Sequence, residues 1–154
     1  MDHGKPITQA GRDKLEQELN DLIANKHPAA VERLHRARGM GDLKENSEYA
    51  AAKEALSFIE NRMTELKNIL EQTRVINDTE MDITTVGVGN RVKVTHGNIT
   101  ETVEIVGEYE ADPLNNKLSA GSPIGKALLG KRVNQTVEIE VPAGKTSYKI
   151  VSIA

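Results

Sequence analysis

The chain has 154 residues, of which 38% are hydrophobic and 28% are charged, and its formal net charge is −3. This length suits one domain or two small ones, and the composition is that of a folded rather than a disordered chain. With no cysteine the sequence excludes disulfides and thiolate metal sites, and with 3% aromatic residues it lacks large surfaces for stacking nucleobases. It has no apolar signal core and no run of about 18 apolar residues, so we expect a cytoplasmic protein.

The first half of the sequence is typical of two long helices joined by a short polar connection. Thr8 is a candidate N-cap for the first helix, but Gly11 stands where a capping box would have glutamate, so we predict that this box is absent. The apolar stripe of this helix consists of Leu15, Leu19, Leu22, Ile23, Val31, Leu34 and Ala37. Pro28 lies within the stripe and predicts a kink or a local break there.

The second helix has the clearer pattern, because its apolar positions recur at alternating steps of three and four residues. The series is Tyr49, Ala52, Leu56, Ile59, Met63, Leu66, Leu70 and Thr73. A heptad seam of this length is typical of a coiled coil. Because the partner stripe lies in the same chain and the connection is short, we predict an intramolecular antiparallel hairpin and a monomer.

The connection between the two helices displays carboxylates at the far end of the hairpin. Gly39 and Gly41 end the first helix, and either Asp42 or Asn46 is suited to cap the second. Asp42 and Glu45 are close enough in sequence to converge on one hard cation such as Mg²⁺, although two carboxylates do not complete a magnesium site. In the alternative, purely structural interpretation, Asp42 is only a cap and Glu45 only favours the helix dipole.

The segment that leads to this tip is basic. Residues 26–44 contain five lysines and arginines against two acidic residues. This pattern indicates either an ordinary solvated helix face or a patch that binds a polyanion near the tip. The four histidines lack the spacing of a metal site.

After residue 77 the pattern changes to short strands. Period-two alternation begins near Thr84, and the predicted strands are 91–95, 99–106, 116–119, 133–141 and 146–153. Ser122 and Pro123 are typical of the start of a short helix that ends at Gly130. We therefore predict an α+β protein, with an antiparallel coiled-coil hairpin over residues 1–77 and an antiparallel β domain with one short helix over residues 78–154.

Several motifs resemble those of the Gre family of bacterial transcript-cleavage factors. Residues 41–49 (GDLKENSEY), followed by the segment 51–53 (AAK), resemble the tip signature of the family. Residues 122–131 (SPIGKALLGK) resemble a signature of its C-terminal domain, and the opening of the chain fits at Ile7, Thr8, Gly11, Lys14 and Leu15. The likeness covers essentially the whole chain, and the modest basic segment is more similar to GreA-like than to GreB-type members.

This resemblance implies a fold, a partner and an activity. The fold would be a coiled-coil hairpin followed by a domain like that of FK506-binding proteins. The C-terminal domain would dock at the rim of the secondary channel of bacterial RNA polymerase, and the hairpin would extend to the active centre. There the protein would stimulate the polymerase to cleave backtracked RNA and so rescue arrested complexes, without being a nuclease on its own.

The resemblance also implies roles for individual residues. Asp42 and Glu45 match the tip acids that hold Mg²⁺ jointly with the polymerase and position the attacking water, and no metal is expected on the chain alone. Asn46, Ser47 and Tyr49 would support the tip. The remaining matches are Arg38 and Lys53, which would bind the 3′ end of the extruded RNA, and Ser122, Pro123 and Ile124, which would dock on the polymerase.

Three other functions remain open on the sequence. A homologous inhibitor would occupy the channel without supporting cleavage, although such relatives are expected to have a more acidic tip. A prolyl isomerase needs an aromatic pocket, whereas residues 78–154 contain only Tyr109 and Tyr148 as aromatic residues. A coiled-coil scaffold or chaperone would tolerate the loss of Asp42 and Glu45, and a cleavage factor would not.

Overall fold

A computed structural model describes residues 4–41, 46–77 and 81–154, which belong to two compact units. One unit is Asp13–Gln72, and the other combines the chain up to Arg12 with Thr73–Ala154. The predicted tip acids Asp42 and Glu45 lie outside the described residues. In the part of the chain that the structure describes, no helix is both long enough and apolar enough to cross a membrane.

The helical unit contains an interrupted first helix and a continuous second one. Helix α1 is Gln9–Asp21, a π-helical segment is Leu22–Lys26, helix α2 is His27–Arg38 and helix α3 is Ser47–Gln72. The break predicted at Pro28 is confirmed: proline lies in the first turn of α2, directly after the π segment. Inside a regular helix, proline cannot donate the backbone hydrogen bond, and its ring collides with a carbonyl one turn earlier. The wider π turn before Pro28 removes the need for that hydrogen bond and makes room for the ring.

The π segment shifts the buried face of the first helix by one residue. Leu15 is buried before it, Leu22 is buried at its first position, and Ala30 and Ala37 are buried after it. The positions within each pair are seven residues apart, as a heptad requires, but Leu22 and Ala30 are eight apart. The π segment therefore absorbs one extra residue and keeps both halves of the helix packed on α3.

The predicted apolar stripes are correct in part. On the second helix Ala52 and Leu66 are fully buried, whereas Tyr49, Leu56, Ile59, Met63 and Leu70 are only half-buried. On the first helix, Ile23 and Val31 are 45% and 43% exposed, so the predicted stripe is wrong at these two positions. Each helix of a two-helix arm has a single neighbour, and the buried stripe is correspondingly narrow.

The second unit contains a pair of parallel strands that the sequence did not reveal. Strand β1, Lys5–Ile7, pairs with strand β2, Thr73–Val75, and Ile7 is 1% exposed. Helix α3 consequently ends at Gln72, before the predicted end of its seam. Because this pair joins the two ends of the helical segment to one unit, the compact units do not coincide with the predicted domain ranges 1–77 and 78–154.

A five-stranded sheet forms the rest of the second unit. Its strands are β3 Arg91–His96, β4 Ile99–Val106, β5 Lys117–Ser119, β6 Thr136–Val141 and β7 Gly144–Ile153, in the order β5-β4-β3-β7-β6. The α+β fold class is confirmed, with one difference: β5 is parallel to β4, whereas the other neighbours are antiparallel. A parallel pair needs a longer connection, which the chain makes through the 3₁₀ turn Pro113–Asn115.

Helix α4, Pro123–Leu128, packs on this sheet, and its Leu128 is buried among the valines and isoleucines of the core. The period-two region predicted from Thr84 contains no strand among residues 81–90. It is instead a loop around Asn90, which is 1% exposed. The Asn90 side chain accepts a hydrogen bond from Gly87 N at 2.8 Å and donates to the carbonyl oxygens of Asp82 and Ala154. These hydrogen bonds satisfy polar groups of the loop that would otherwise pair with a neighbouring strand.

Candidate functional site

The two ends of the hairpin connection are joined by Asn46. Its Oδ1 accepts a hydrogen bond from Tyr49 N at 3.0 Å, as an N-cap of α3 does. Its Nδ2 donates to the carbonyl oxygen of Ala37 at 2.7 Å, in the last turns of α2. A single side chain thus ties the start of α3 to the end of α2, and in the sequence Asn46 directly follows residues 42–45, which include Asp42 and Glu45.

The other predicted tip residues differ in exposure. Tyr49 is half-buried, which agrees with a packing role at the start of the seam, whereas Ser47 is exposed. Gly41 has a φ of +137°, a conformation that residues with a side chain rarely adopt. Met40, just before it, is 71% exposed.

The basic residues near the tip fall into two groups. Arg33 makes a bidentate pair with Glu48, with its Nε 2.8 Å from Oε1 and its Nη2 3.2 Å from Oε2. Hydrogen bonding to Arg33 holds the pKa of the Glu48 carboxyl below its ordinary value. Arg38 and Lys53 are exposed, and neither forms an ion pair with an acidic residue among those described. These two cations are therefore the better candidates for binding phosphate.

Farther along the hairpin, Arg62 links the helices. Its Nε and Nη2 lie 2.7 and 3.0 Å from the carboxylate oxygens of Glu18, and its Nη1 lies 2.8 Å from Glu65 Oε2. The hydrogen bonds from Arg62 lower the pKa of the Glu18 carboxyl. This network spans α1 and α3 and supports a narrow apolar seam.

In the second motif, residues 122–131, the structure gives several residues a role in forming α4. Ser122 is the N-cap of α4: its Oγ accepts from Gly125 N at 3.1 Å and donates to the carbonyl oxygen of Ser119 at 2.7 Å. A Cβ at Gly125 would collide with that same carbonyl group, so only glycine fits there. Pro123 follows at the first helical position, as predicted, and is exposed.

Ile124 is half-buried and borders an apolar cavity of about 90 Å³. The other lining residues include Val94, Val103, Leu118 and Tyr148. Tyr148 is only 9% exposed and packs against His96, with 4.7 Å between the ring centroids. This single, packed tyrosine does not make the aromatic pocket that a prolyl isomerase needs.

None of the residues in the described ranges forms a group of three or more His, Cys, Asp or Glu side chains that could hold a metal ion. Asp42 and Glu45 remain the predicted metal ligands, and the argument for them is the chemistry of their carboxylates. Two carboxylates offer the hard oxygen ligands that Mg²⁺ prefers, but too few of them to complete its octahedral shell. A second molecule would have to supply the rest.

Sequence reasoning missed one residue of the second unit, Glu110. Its carboxylate accepts hydrogen bonds from Thr8 N at 3.0 Å and from the Thr8 hydroxyl. Thr8 is confirmed as the N-cap of α1, since its Oγ1 accepts from Gly11 N at 3.1 Å. The predicted absence of a capping box within α1 is confirmed, and Glu110 supplies from a distant segment the carboxylate that Gly11 lacks. The one local signal is Gly11, a glycine in the first turn of a helix, and it does not identify a partner so distant in sequence.

Two family models match the chain. Residues 5–75 match "Transcription elongation factor, N-terminal", and residues 80–154 match "Transcription elongation factor, GreA/GreB, C-term". The chain is 46% identical to transcription elongation factor GreA of Caldanaerobacter subterraneus subsp. tengcongensis, covering 97% of this chain and 98% of that protein. It is 43% identical to the GreA of Bacillus anthracis, covering 96% and 95% of the two chains.

Among solved structures, the chain is similar to GreA factor homolog 1 (Gfh1) of Thermus thermophilus. The identity is 28%, the TM-score is 0.46, and 99% of each chain is covered. A GreA/GreB factor from Nitrosomonas europaea matches with 20% identity and a TM-score of 0.44, covering 97% of this chain and 98% of that one. The sequence matches, rather than these superpositions, carry the family assignment.

Proposed function

The chain belongs to the GreA/GreB family of transcription elongation factors, and from this premise we propose that it stimulates bacterial RNA polymerase to cleave backtracked RNA. It would work in the cytoplasm, with the hairpin in the secondary channel of the polymerase. Cleavage would give the RNA a new 3′ end and release the arrested complex. One observation carries the proposal: Asp42 and Glu45 are the only acids in the sequence between α2 and α3, and they shortly precede Asn46, whose side chain joins the two helices.

The chemistry required of the chain is modest. Mg²⁺ bound at a polymerase active centre activates water and stabilises the charge that develops on the phosphate. Asp42 and Glu45 would add carboxylate oxygens to an ion that the polymerase already holds in part, and would orient the attacking water. Because two ligands do not bind Mg²⁺ well alone, we expect neither a resident metal nor nuclease activity in the isolated protein.

The remaining residues would hold the hairpin and the RNA in place. Arg38 and Lys53 are suited to bind RNA phosphates, since each is exposed and neither forms an ion pair within the described residues. Arg33 is less suited, because Glu48 already occupies its guanidinium. Pro123 and Ile124 would contact the polymerase, and Ser122 would support them by holding the first turn of α4.

The test is a cleavage assay on a backtracked bacterial elongation complex with labelled RNA and Mg²⁺. We expect wild type to release short 3′ fragments, and Asp42→Asn/Glu45→Gln to lower the cleavage rate at saturation by about 100-fold or more, the scale of losing charge stabilisation at a reacting phosphate. The matched control is Glu54→Gln, an exposed acid on α3, which should cleave as wild type does. Binding to the complex is measured for all three proteins.

The outcomes separate the competing functions. Wild-type binding without cleavage would contradict the proposal and favour a channel-occupying inhibitor. Failure of wild type to bind the polymerase would favour a scaffold or chaperone. A double variant that binds and cleaves as well as wild type would remove Asp42 and Glu45 from the reaction.

A further inference from the structure

Helix α3 carries a large apolar side chain that lies outside the hairpin seam. Phe58, the one phenylalanine of the chain, is 75% exposed and is the most exposed aromatic residue in the described ranges. Its neighbour Ile59 belongs to the predicted seam, and Phe58 lies about 100° around the helix from it. At this exposure the ring contributes little to the packing of α3.

The ring is part of an apolar surface that runs along α3. On one side it borders a depression of about 420 Å³, lined in part by Ala51, Ala55 and Ile59. On the other side it borders a depression of about 400 Å³, lined in part by Leu22 of the π segment. These five residues, which form the Phe58 surface, all belong to the unit Asp13–Gln72. Exposed apolar surfaces of this kind mark sites where a partner binds.

The charges around the Phe58 surface do not suit RNA. Glu54 lines the first depression and Glu18 lines the second. The cations of the second depression are already engaged, since Arg62 bonds to Glu18 and Lys26 lies 3.8 Å from Asp21. RNA that stacks on an aromatic ring also needs a positively charged groove for its phosphates. A protein is therefore the better partner for the ring.

The size of the surface selects between two protein partners. A stable interface buries about 800 Å² on each partner, whereas one phenylalanine buries about 150–250 Å² and the two alanines add little. The Phe58 surface is therefore too small to hold a second copy of this chain by itself. It fits a partner that other parts of the chain bind as well. Under the proposed function the polymerase is such a partner, because the tip and α4 also contact it.

We propose that the Phe58 surface is a binding site for RNA polymerase, and that the Phe58 ring packs against apolar side chains on the wall of the channel that the hairpin enters. This inference rests on the proposed function. Phe58 lies near the middle of α3, eleven residues after Ser47 and fourteen before Gln72, so it contacts the polymerase at a place separate from the tip. Burial of the ring adds affinity without charge.

Three variants isolate the contribution of the ring. Phe58→Ala removes it, and alanine is the best helix former, so α3 itself is not weakened. Phe58→Leu keeps a large apolar side chain at the same position. The matched control is Lys67→Ala, which truncates another long exposed side chain. Lys67 lies nine residues after Phe58, about two and a half turns, and so on the opposite side of α3.

Binding is measured by calorimetric titration of bacterial RNA polymerase that holds no nucleic acid. We expect Phe58→Ala to raise the Kd by about tenfold or more. Phe58→Leu and Lys67→Ala should raise it by less than about threefold. The ratio of the Kd of Phe58→Ala to that of wild type should be the same at about 0.05 M and about 0.3 M salt, because salt does not screen an apolar contact.

Four results would overturn the inference. An unchanged Kd in Phe58→Ala would mean that the ring does not contact the polymerase. A loss of affinity that appears only with backtracked complexes would assign the ring to the extruded RNA. A wild-type dimer in sedimentation that Phe58→Ala dissociates would assign it to a second copy. A markedly lower urea midpoint for free Phe58→Ala than for wild type would mean that the ring packs within the chain.

Cleavage of backtracked RNA separates this inference from the proposed function. At saturating concentration, Phe58→Ala should cleave within about twofold of the wild-type rate, because a contact made equally before and during the reaction changes only binding. A much lower saturated rate would contradict a role in binding alone. If wild type binds but does not cleave, the proposed function fails, and the Kd comparison still decides whether Phe58 contacts the polymerase. If wild type does not bind, both fail.

Discussion

Asn46 serves as hydrogen-bond donor and acceptor at the same time, through the two ends of its amide. Its Oδ1 caps α3 through Tyr49 N, and its Nδ2 bonds the carbonyl oxygen of Ala37. Aspartate caps helices equally well, but an ionised aspartate cannot donate to the carbonyl oxygen of Ala37. The amide is therefore the group that both starts α3 and joins it to α2.

This predicts an order of stability for two substitutions. Asn46→Asp keeps the cap and loses the bond to Ala37, so the free energy of unfolding should fall by about 1 kcal/mol. Asn46→Ala loses both bonds and should lower it by about 2 kcal/mol. Urea unfolding followed by helical circular dichroism measures both. If Asn46→Asp is as stable as wild type, the bond to Ala37 contributes nothing, and if the two variants are equally stable, the cap contributes nothing.

At this same scale, the sequence predicts local contacts and misses distant ones. Thr8 and Ser122 were predicted as N-caps because a cap and its partner lie within three residues of each other. Glu110 was not predicted, since its partners Thr8 and Gly11 are about a hundred positions away. Gly11 is the one indication in the sequence: a glycine inside the first turn of a helix needs a reason, which turns out to be space for another side chain.

The π segment is the main feature at the scale of elements. Pro28 predicted that the first helix is interrupted, but the form of the interruption follows from packing. The buried positions Leu22 and Ala30 are eight residues apart, and a regular helix would bring only one of them onto α3. The sequence predicts that the first helix is interrupted, but it does not predict the one-residue shift of the buried face. That shift depends on which residues α3 covers.

We predict that the extra residue and the proline are coupled. Deleting the exposed Ala24 restores a seven-residue step, but it places Pro28 inside a regular helix and should lower the free energy of unfolding by about 3 kcal/mol. Adding Pro28→Ala to the deletion should recover most of that loss. The measurement is thermal unfolding with helical circular dichroism.

Deletion of Asn61 is the matched control for this pair. It is exposed on α3, where no π segment can absorb the change, so we expect a loss of stability that Pro28→Ala does not repair. If the Ala24 deletion is as harmful with alanine at position 28 as with proline, the π segment does not set the register.

At the scale of the whole molecule, the sequence predicted the α+β class and the order of hairpin, strands and short helix. It missed β1 and β2, because strands of three residues have almost no periodicity and pair only through contacts distant in sequence. It also predicted β5 as part of an antiparallel sheet, since period two does not distinguish strand direction. The tip acids were identified by their chemistry and by family resemblance, and their geometry lies outside the described residues.

The central claim is that Asp42 and Glu45 contribute ligands to Mg²⁺ at the polymerase active centre, and a magnesium titration tests it most directly. RNA cleavage by backtracked complexes is followed at increasing Mg²⁺ with saturating wild type, with Asp42→Asn/Glu45→Gln, and without factor. We predict that wild type lowers the Mg²⁺ concentration for half-maximal cleavage, because added carboxylates raise the occupancy of the ion. The double variant should require about as much Mg²⁺ as the polymerase alone. If the double variant occupies the polymerase fully and needs no more Mg²⁺ for half-maximal cleavage than wild type does, the claim is contradicted.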